Sequence, residues 1–284
     1  MAIERTKEVL DSIRTLSPWP PVAMRLLEIS RQEDVTPSDL VAVLRTDVAF
    51  TARILKLTNS AFYGFQREVD SLQEAANRLG TNALVSLVLT SCVGQSFSGA
   101  ERTDEVHARR LWEHSVMNGL AAGCLAGING DVDRNQAYTA GLLQDLGCIV
   151  ISSHLADVRD EVRRERNAGA TVCEAERTVL GMDHAQIGAR LLRRWDFPDV
   201  LVDAVLHHHD PENSTVSPAL TSLVNLGAAV TKAVGLGEGL QNLTYGLSNS
   251  ALGLAGLTHN QLERMEALLM SELLRARDLV QTAA

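Results

Sequence analysis

The chain has 284 residues, of which 45% are hydrophobic and 21% charged, and its formal net charge is −9. This length and balance support a buried core and exclude a disordered chain, while the negative charge weighs against nucleic acid as a partner. Cys92, Cys124, Cys148 and Cys173 form no C-x-x-C pair and lie in apolar contexts. They read as reduced core residues of a cytoplasmic protein rather than as a disulfide framework.

The opening "MAIERTKEVLDSIRTL" is amphipathic and charged and lacks the apolar run of a signal peptide. In "VAMRLLEISRQ", Val22, Leu26, Leu27 and Ile29 share one helical stripe. "TPSDLVAVLRTD" starts a helix with Thr36 as N-cap and Pro37 at the first position. "SLQEAANRLG" offers a capping box of Ser71 and Glu74 and a stop at Gly80. The longest charge-free stretch, 79–100, holds too many Ser, Thr, Asn and Gln residues for a membrane span and predicts a buried helix followed by a loop. "FSGAERTDEVHARR" then separates two helix-rich halves near 98–110. Thr171, Glu174 and Gly181 repeat the capping syntax, as do Thr258 and Gln261. With few aromatic residues and no alternating β-type runs, the chain reads as all-α, with a dozen or more helices.

The chemistry concentrates in the second half. "AYTAGLLQDLGCIV" places Asp145 in an apolar run, where a buried carboxylate is costly unless it is paired or holds a metal. His114, His184 and the triplet His207, His208 and His209 lie on other predicted helices and are able to converge on it. The triplet equally suits a helix end, where histidine favours the negative pole of the dipole. Adjacent helical residues point about 100° apart, so three in a row cannot serve one ion. His154 and His259 read as surface or satisfied core residues.

The segments "SPWPPVAMRLLEI", "DVAFTARILKLTNSAFYGFQREVDSLQEAANRLG", "LWEHSV", "AYTAGLLQDLG" and "ERTVLGMDHAQIGARLLRRWDFPDVLVDAVLHHHDP" occur in this order. Together they resemble the HDOD family, the HD-related output domains of bacterial signalling proteins. The resemblance, which covers roughly residues 8–235, implies two packed helical subdomains, an N-terminal one over 1–100 and an HD-like one over 101–235; residues 236–284 are expected, outside the resemblance, as a helical extension packed on the latter. HD phosphohydrolases and HD-GYP phosphodiesterases hold divalent metal through a His, an adjacent His-Asp pair and a later Asp, and the metal activates a water. Carried onto this sequence, the positions are His114, Gln144 in place of the paired histidine, Asp145, and Ala228 in place of the later Asp, with Asn225 one turn earlier.

Two of four ligands are thus replaced, and an amide is a poorer donor than imidazole. The resemblance therefore implies a vestigial site with no catalytic residues, no resident metal or other cofactor, and a non-catalytic regulatory role in signal transduction. The alternative is a metal-dependent phosphohydrolase or cyclic-dinucleotide phosphodiesterase with substituted ligands. Three roles suit the retained His114, Asp145, His184, His207 and His208. They are a buried hydrogen-bond network, a remodelled pocket for a nucleotide or small anion, and a residual metal site, to which Glu176 adds a carboxylate. Asn59 and Ser60 are expected to close a helix end before Gly64 at positive φ, with Phe62 and Tyr63 in the seam between the halves; alternatively, Asn59, Ser60, Tyr63 and Gly64 form an interaction surface. Trp19 and Trp195 are expected as packing anchors, and Trp112 beside any surviving pocket. The expected partners are a sensor kinase, a response regulator or a cyclic-dinucleotide enzyme, with self-association open and neither nucleic acid nor membrane involved.

Overall fold

The computed structural model describes residues 2–16, 19–32, 34–98, 105–154, 158–233 and 248–263, the side chains of 2–3, 97–98, 105–108 and 153–154 excepted. Among the described residues the protein is all-α, with no strand. The first half contains α1 (Ala2–Thr15), α2 (Pro21–Ser30), α3 (Pro37–Leu44), α4 (Val48–Thr58), α5 (Leu72–Leu79) and α6 (Thr81–Ser98). The second contains α7 (Glu105–Asn129), α8 (Arg134–Leu143), α9 (Leu146–His154), α10 (Arg159–Asn167), α11 (Val172–Leu180), α12 (His184–Arg194) and α13 (Asp199–His207). A 3-10 turn (Pro211–Asn213), α14 (Pro218–Ala233) and α15 (Asn249–Leu254) follow.

The caps set these boundaries. Thr36 and Asp39 form a reciprocal capping box at α3, and Thr171 and Glu174 do so at α11, which Gly181 ends in the left-handed conformation. At α5 the box is only half formed. Ser71 accepts the Glu74 N–H, but the Glu74 carboxylate turns to Arg78 at 2.5 Å, because the i,i+4 cation competes for it. The charged "EVHARR", expected in the connection between halves, instead begins α7. Gly64 has φ +58°, and Asn59 clamps the loop before α5: its Oδ1 accepts the Val69 N–H and its Nδ2 donates to the Val69 carbonyl, both at 2.8 Å.

Packing does not follow chain order. Helix α6 contacts α2, α4 and α5 on one side and α7, α8 and α9 on the other, so it joins the two halves. Helix α1 packs on α9, α11 and α12, across the expected 1–100 boundary. Arg5 reaches Glu161 on α10 through two bonds of 2.6 and 2.7 Å. Trp19 and Trp195 meet at 5.4 Å between ring centroids, with Phe197 edge-on to Trp19, so both tryptophans are packing anchors. Phe62 and Tyr63 pack against the main core, and Tyr63 lies close enough to Tyr138 on α8 to raise its pKa further, burial being the larger cause. Within the extension, α15 packs on α14 and the 3-10 turn; residues 236–247 and 264–284 lie outside the described residues. Cys92, Cys148 and Cys173 are buried, and Cys124 is half-buried.

Candidate functional site

Glycine permits the close helix contacts that build the site. A Cβ on Gly141 would stand 2.7 Å from the Asn118 carbonyl oxygen, and one on Gly147 would overlap the His184 carbonyl oxygen. The two residues flank Asp145, so α8 closes on α7 and α9 closes on α12 at backbone contact distance. Asp145 occupies the short break between α8 and α9 and is completely buried. Backbone capping also fixes His184: Asp183 is the N-cap of α12 in a reciprocal box with Gln186, which leaves His184 as the first helical residue.

Polar side chains from four segments surround the Asp145 carboxylate. Oδ2 lies 3.1 Å from Gln144 Nε2, 3.4 Å from His114 Nε2 and 3.5 Å from Asn118 Nδ2. Oδ1 lies 3.6 Å from His184 Nε2 and 3.9 Å from His208 Nε2. A second carboxylate, Glu176 on α11, accepts the His184 backbone N–H at 2.8 Å and lies 2.6 Å from His184 Nδ1. His184 Nε2 faces His209 Nε2 at 2.8 Å, and His208 Nδ1 donates to the Val205 carbonyl at 2.7 Å.

These contacts dictate the protonation pattern. Burial opposes charge on Asp145, but the imidazoles of His114, His184 and His208 and the Gln144 amide outweigh it and hold the carboxyl below its ordinary range. Burial likewise opposes charge on His184, yet Glu176, Asp145 and Asp183 push it up to about 9. Burial and the neighbouring His184 charge push His208 down to about 4, and burial with His208, His184 and Arg177 takes His209 well below the usual histidine range. At neutral pH, His184 is therefore an imidazolium that donates to Glu176 through Nδ1 and to the lone pair of His209 through Nε2. One buried cation stands between two buried carboxylates.

The residues do not fit an HD-type divalent cation. Gln144 turns its amide N–H to Asp145 and leaves its buried Oε1 without a hydrogen-bond partner among the described residues, so it supplies no donor beside the carboxylate. Ala228 is buried next to Ala229 and has no polar side-chain atom to contribute. Asn225, one turn earlier, instead donates to the His208 carbonyl at 2.8 Å. A grouping of Asp145, His184 and His208 remains, with one donor atom from each within 4.8 Å of the others. All three are completely buried, so this group presents no open position toward a substrate.

His114, Gln144, Asp145, His184 and His208 thus converge as expected, and so does Glu176. His207 does not. It turns back along α13 to Asp203, at 3.8 Å, because residue 207 points about 100° away from 208 around the helix and shares a face with 203. His209 takes its place. No helical periodicity predicts that direction, since 209 lies beyond the last turn of α13. Asn118 was also legible in principle: it sits four residues after His114 on the same face of α7. The HHHD stretch is a helix end and a cluster member at once, since the His208 ring that faces Asp145 also satisfies a last-turn carbonyl. Trp112 is a core residue, and His259 is exposed; the His154 side chain lies outside the described residues.

The sequence pattern of the HDOD domain matches residues 16–211. The chain belongs to the HDOD family. An uncharacterized protein of Treponema pallidum is 32% identical over 198 residues, which are 67% of this chain and 37% of that protein. Ribonuclease Y of Thermus thermophilus is 32% identical over 108 residues, 38% of this chain and 14% of the enzyme. The chain therefore spans about a third or less of the length of these curated relatives. Among solved structures, an HDOD domain protein of unknown function from Geobacter sulfurreducens superposes with a TM-score of 0.79 at 21% identity, covering 99% of this chain and 97% of that one. A protein from Marinobacter aquaeolei VT8, provisionally named for signal transduction, gives 0.82 at 19% identity over 99% and 66%. At these identities the HDOD structures establish a shared fold.

Proposed function

We propose that this HDOD protein is a non-catalytic regulatory module of bacterial signal transduction that acts in the cytoplasm by binding another protein. A sensor kinase, a response regulator or a cyclic-dinucleotide enzyme has the appropriate role. The observation that carries this reading is the closed shell around Asp145. The carboxylate is fully buried, the Gln144 amide donates to its Oδ2, the His114 and His184 rings lie within 3.6 Å of its oxygens, and an imidazolium supplies the positive charge that a hydrolytic cation would otherwise bring. Without a metal-bound water, no nucleophile stands ready for a phosphoester. The network ties α7, the α8–α9 break, α11, α12 and the end of α13 into one frame, and a rigid helical frame suits protein recognition better than turnover. No helix among the described residues is long and apolar enough to cross a membrane, and the net charge disfavours nucleic acid. Self-association is compatible with such a module.

The competing reading, a phosphohydrolase or phosphodiesterase with substituted ligands, draws on the Asp145–His184–His208 grouping. A second solved relative of similar fold, from Shewanella amazonensis SB2B with a TM-score of 0.75 at 22% identity, is provisionally named a phosphohydrolase. One assay separates the two. The full chain is incubated with Mn²⁺ and with nucleotides and cyclic dinucleotides, and product is measured beside the Asp145→Ala variant. The regulatory reading expects no turnover above background in either protein. Turnover in the wild type that Asp145→Ala abolishes overturns it.

A further inference from the structure

His184 also belongs to a grouping of different chemical character. Cys173, the second residue of α11, lies with His184 and His209 so that one donor atom from each falls within 4.8 Å of the others. We propose that Cys173, His184 and His209 form a thiolate–imidazole site for a zinc-class divalent cation. It shares His184 with the Asp145–His184–His208 grouping but needs neither Gln144 nor Ala228, which stand in place of HD-type ligands, and it does not rest on the regulatory reading.

Three features carry it. First, two imidazole nitrogens at 2.8 Å share one proton, and a cation is able to replace it. Ligands at tetrahedral zinc stand about 3.3 to 3.7 Å apart, given zinc–nitrogen bonds of about 2.0 Å and zinc–sulfur bonds of about 2.3 Å. The three donors therefore need only small side-chain shifts to close on one ion. His209 has room to make such a shift, since it lies outside α13 and is half-buried, whereas Cys173 and His184 are held in the core.

Second, His184 is oriented as metal-bound imidazoles are: its remote nitrogen, Nδ1, is held at 2.6 Å by a carboxylate, Glu176, which is itself fixed by the His184 backbone N–H. Third, the donors are soft. A thiolate with two imidazoles selects zinc or cobalt over the magnesium and manganese that oxygen-rich sites prefer. The nearby cationic side chain of Arg177 is paired with Asp183 at 2.5 Å, while Glu176 and Asp145 add negative charge around the site. Binding is a substitution without redox change: the cation enters, the Cys173 thiol proton and the proton shared by the imidazoles leave to solvent, and Sγ–metal and N–metal bonds form.

The test uses the full chain, stripped with a chelator and titrated with Co²⁺ and then Zn²⁺. The site predicts one equivalent of Co²⁺ with a thiolate-to-cobalt charge-transfer band in the near ultraviolet, bleached when Zn²⁺ displaces it. Cys173→Ser removes the band and weakens zinc binding by about 100-fold or more. Cys148→Ser, which alters a second buried thiol that groups with Glu176 and His184, leaves both unchanged. Zinc also raises the melting temperature of the wild type by mass action but not that of Cys173→Ser. Should Cys173→Ser fail to fold, His209→Ala serves in its place: it removes a ligand from the half-buried loop and is expected to weaken zinc binding similarly. The absence of a band in the wild type, a band that survives Cys173→Ser, or a band lost in Cys148→Ser overturns the assignment.

Discussion

Two polar constructions in this protein solve the same problem by different means. In the loop before α5, Asn59 satisfies a stretch of backbone by itself: both ends of its amide bond Val69, ten residues along the chain. Around Asp145, a single carboxylate draws on residues 114, 118, 144, 184 and 208, contributed by α7, the α8–α9 break, α12 and the end of α13. The first construction is local and half-exposed, and water is available to replace it. The second exists only when several helices are docked, and its loss strands charge in a dry interior. The comparison teaches where cooperativity lies: the clamp shapes one loop, whereas the cluster ties helix packing to electrostatics.

The largest effect is expected where the cluster depends on backbone contact. Gly147→Ala places a methyl group against the His184 carbonyl and the Gly188 amide, backbone atoms that cannot rotate away. It is expected to destabilise the protein by about 3 kcal/mol or more, at or beyond the upper end for overpacking. Denaturant unfolding measures this, and a loss below about 1 kcal/mol would show that α9 and α12 are not locked.

Asp203 sharpens the contrast, because it is a buried carboxylate with local partners. Ser214 donates to it at 2.5 Å and the Val216 N–H at 3.3 Å. Burial raises its pKa, but these donors and the Thr215 N–H outweigh burial and hold the carboxyl below its ordinary range. Because the folded value is depressed, its stabilisation is present above the unfolded pKa, near 3.8, and is lost as pH falls through the lower folded value. Asp203→Asn is expected to cost about 1.5 to 3 kcal/mol at neutral pH, as for a hydrogen bond to a charged group. That difference should shrink progressively below the unfolded pKa. A stability gap that stays constant down to the acid transition would rule out the linkage.

The smallest effect belongs to the clamp. Asn59→Ala is expected to cost about 1 kcal/mol, because water takes over part of the pairing at Val69. Hydrogen exchange should accelerate at the Val69 amide while amides of α7 and α12 keep their protection. Faster exchange across those helices would mean that the loop and the cluster are coupled after all.

The parts of this protein that are legible in the chain are those governed by neighbours in sequence. Helical periodicity identified the fold class, and Thr36, Thr171 and Thr258 marked helix starts because a cap acts over three residues. The unusual carboxylate at Asp145, between two glycines, pointed to the site because burying charge is costly wherever it occurs. Glu74 departed from its expected box because Arg78, one turn on, competed for it. Tertiary structure alone decided which of three consecutive histidines face inward. The direction of a residue at a helix end depends on how the chain leaves the helix, so His209 turned to His184 and His207 turned away. It also decided that α1 crosses to the second half and that Cys173 meets His184, since contacts between residues far apart in the chain follow from how whole helices pack rather than from any local spacing.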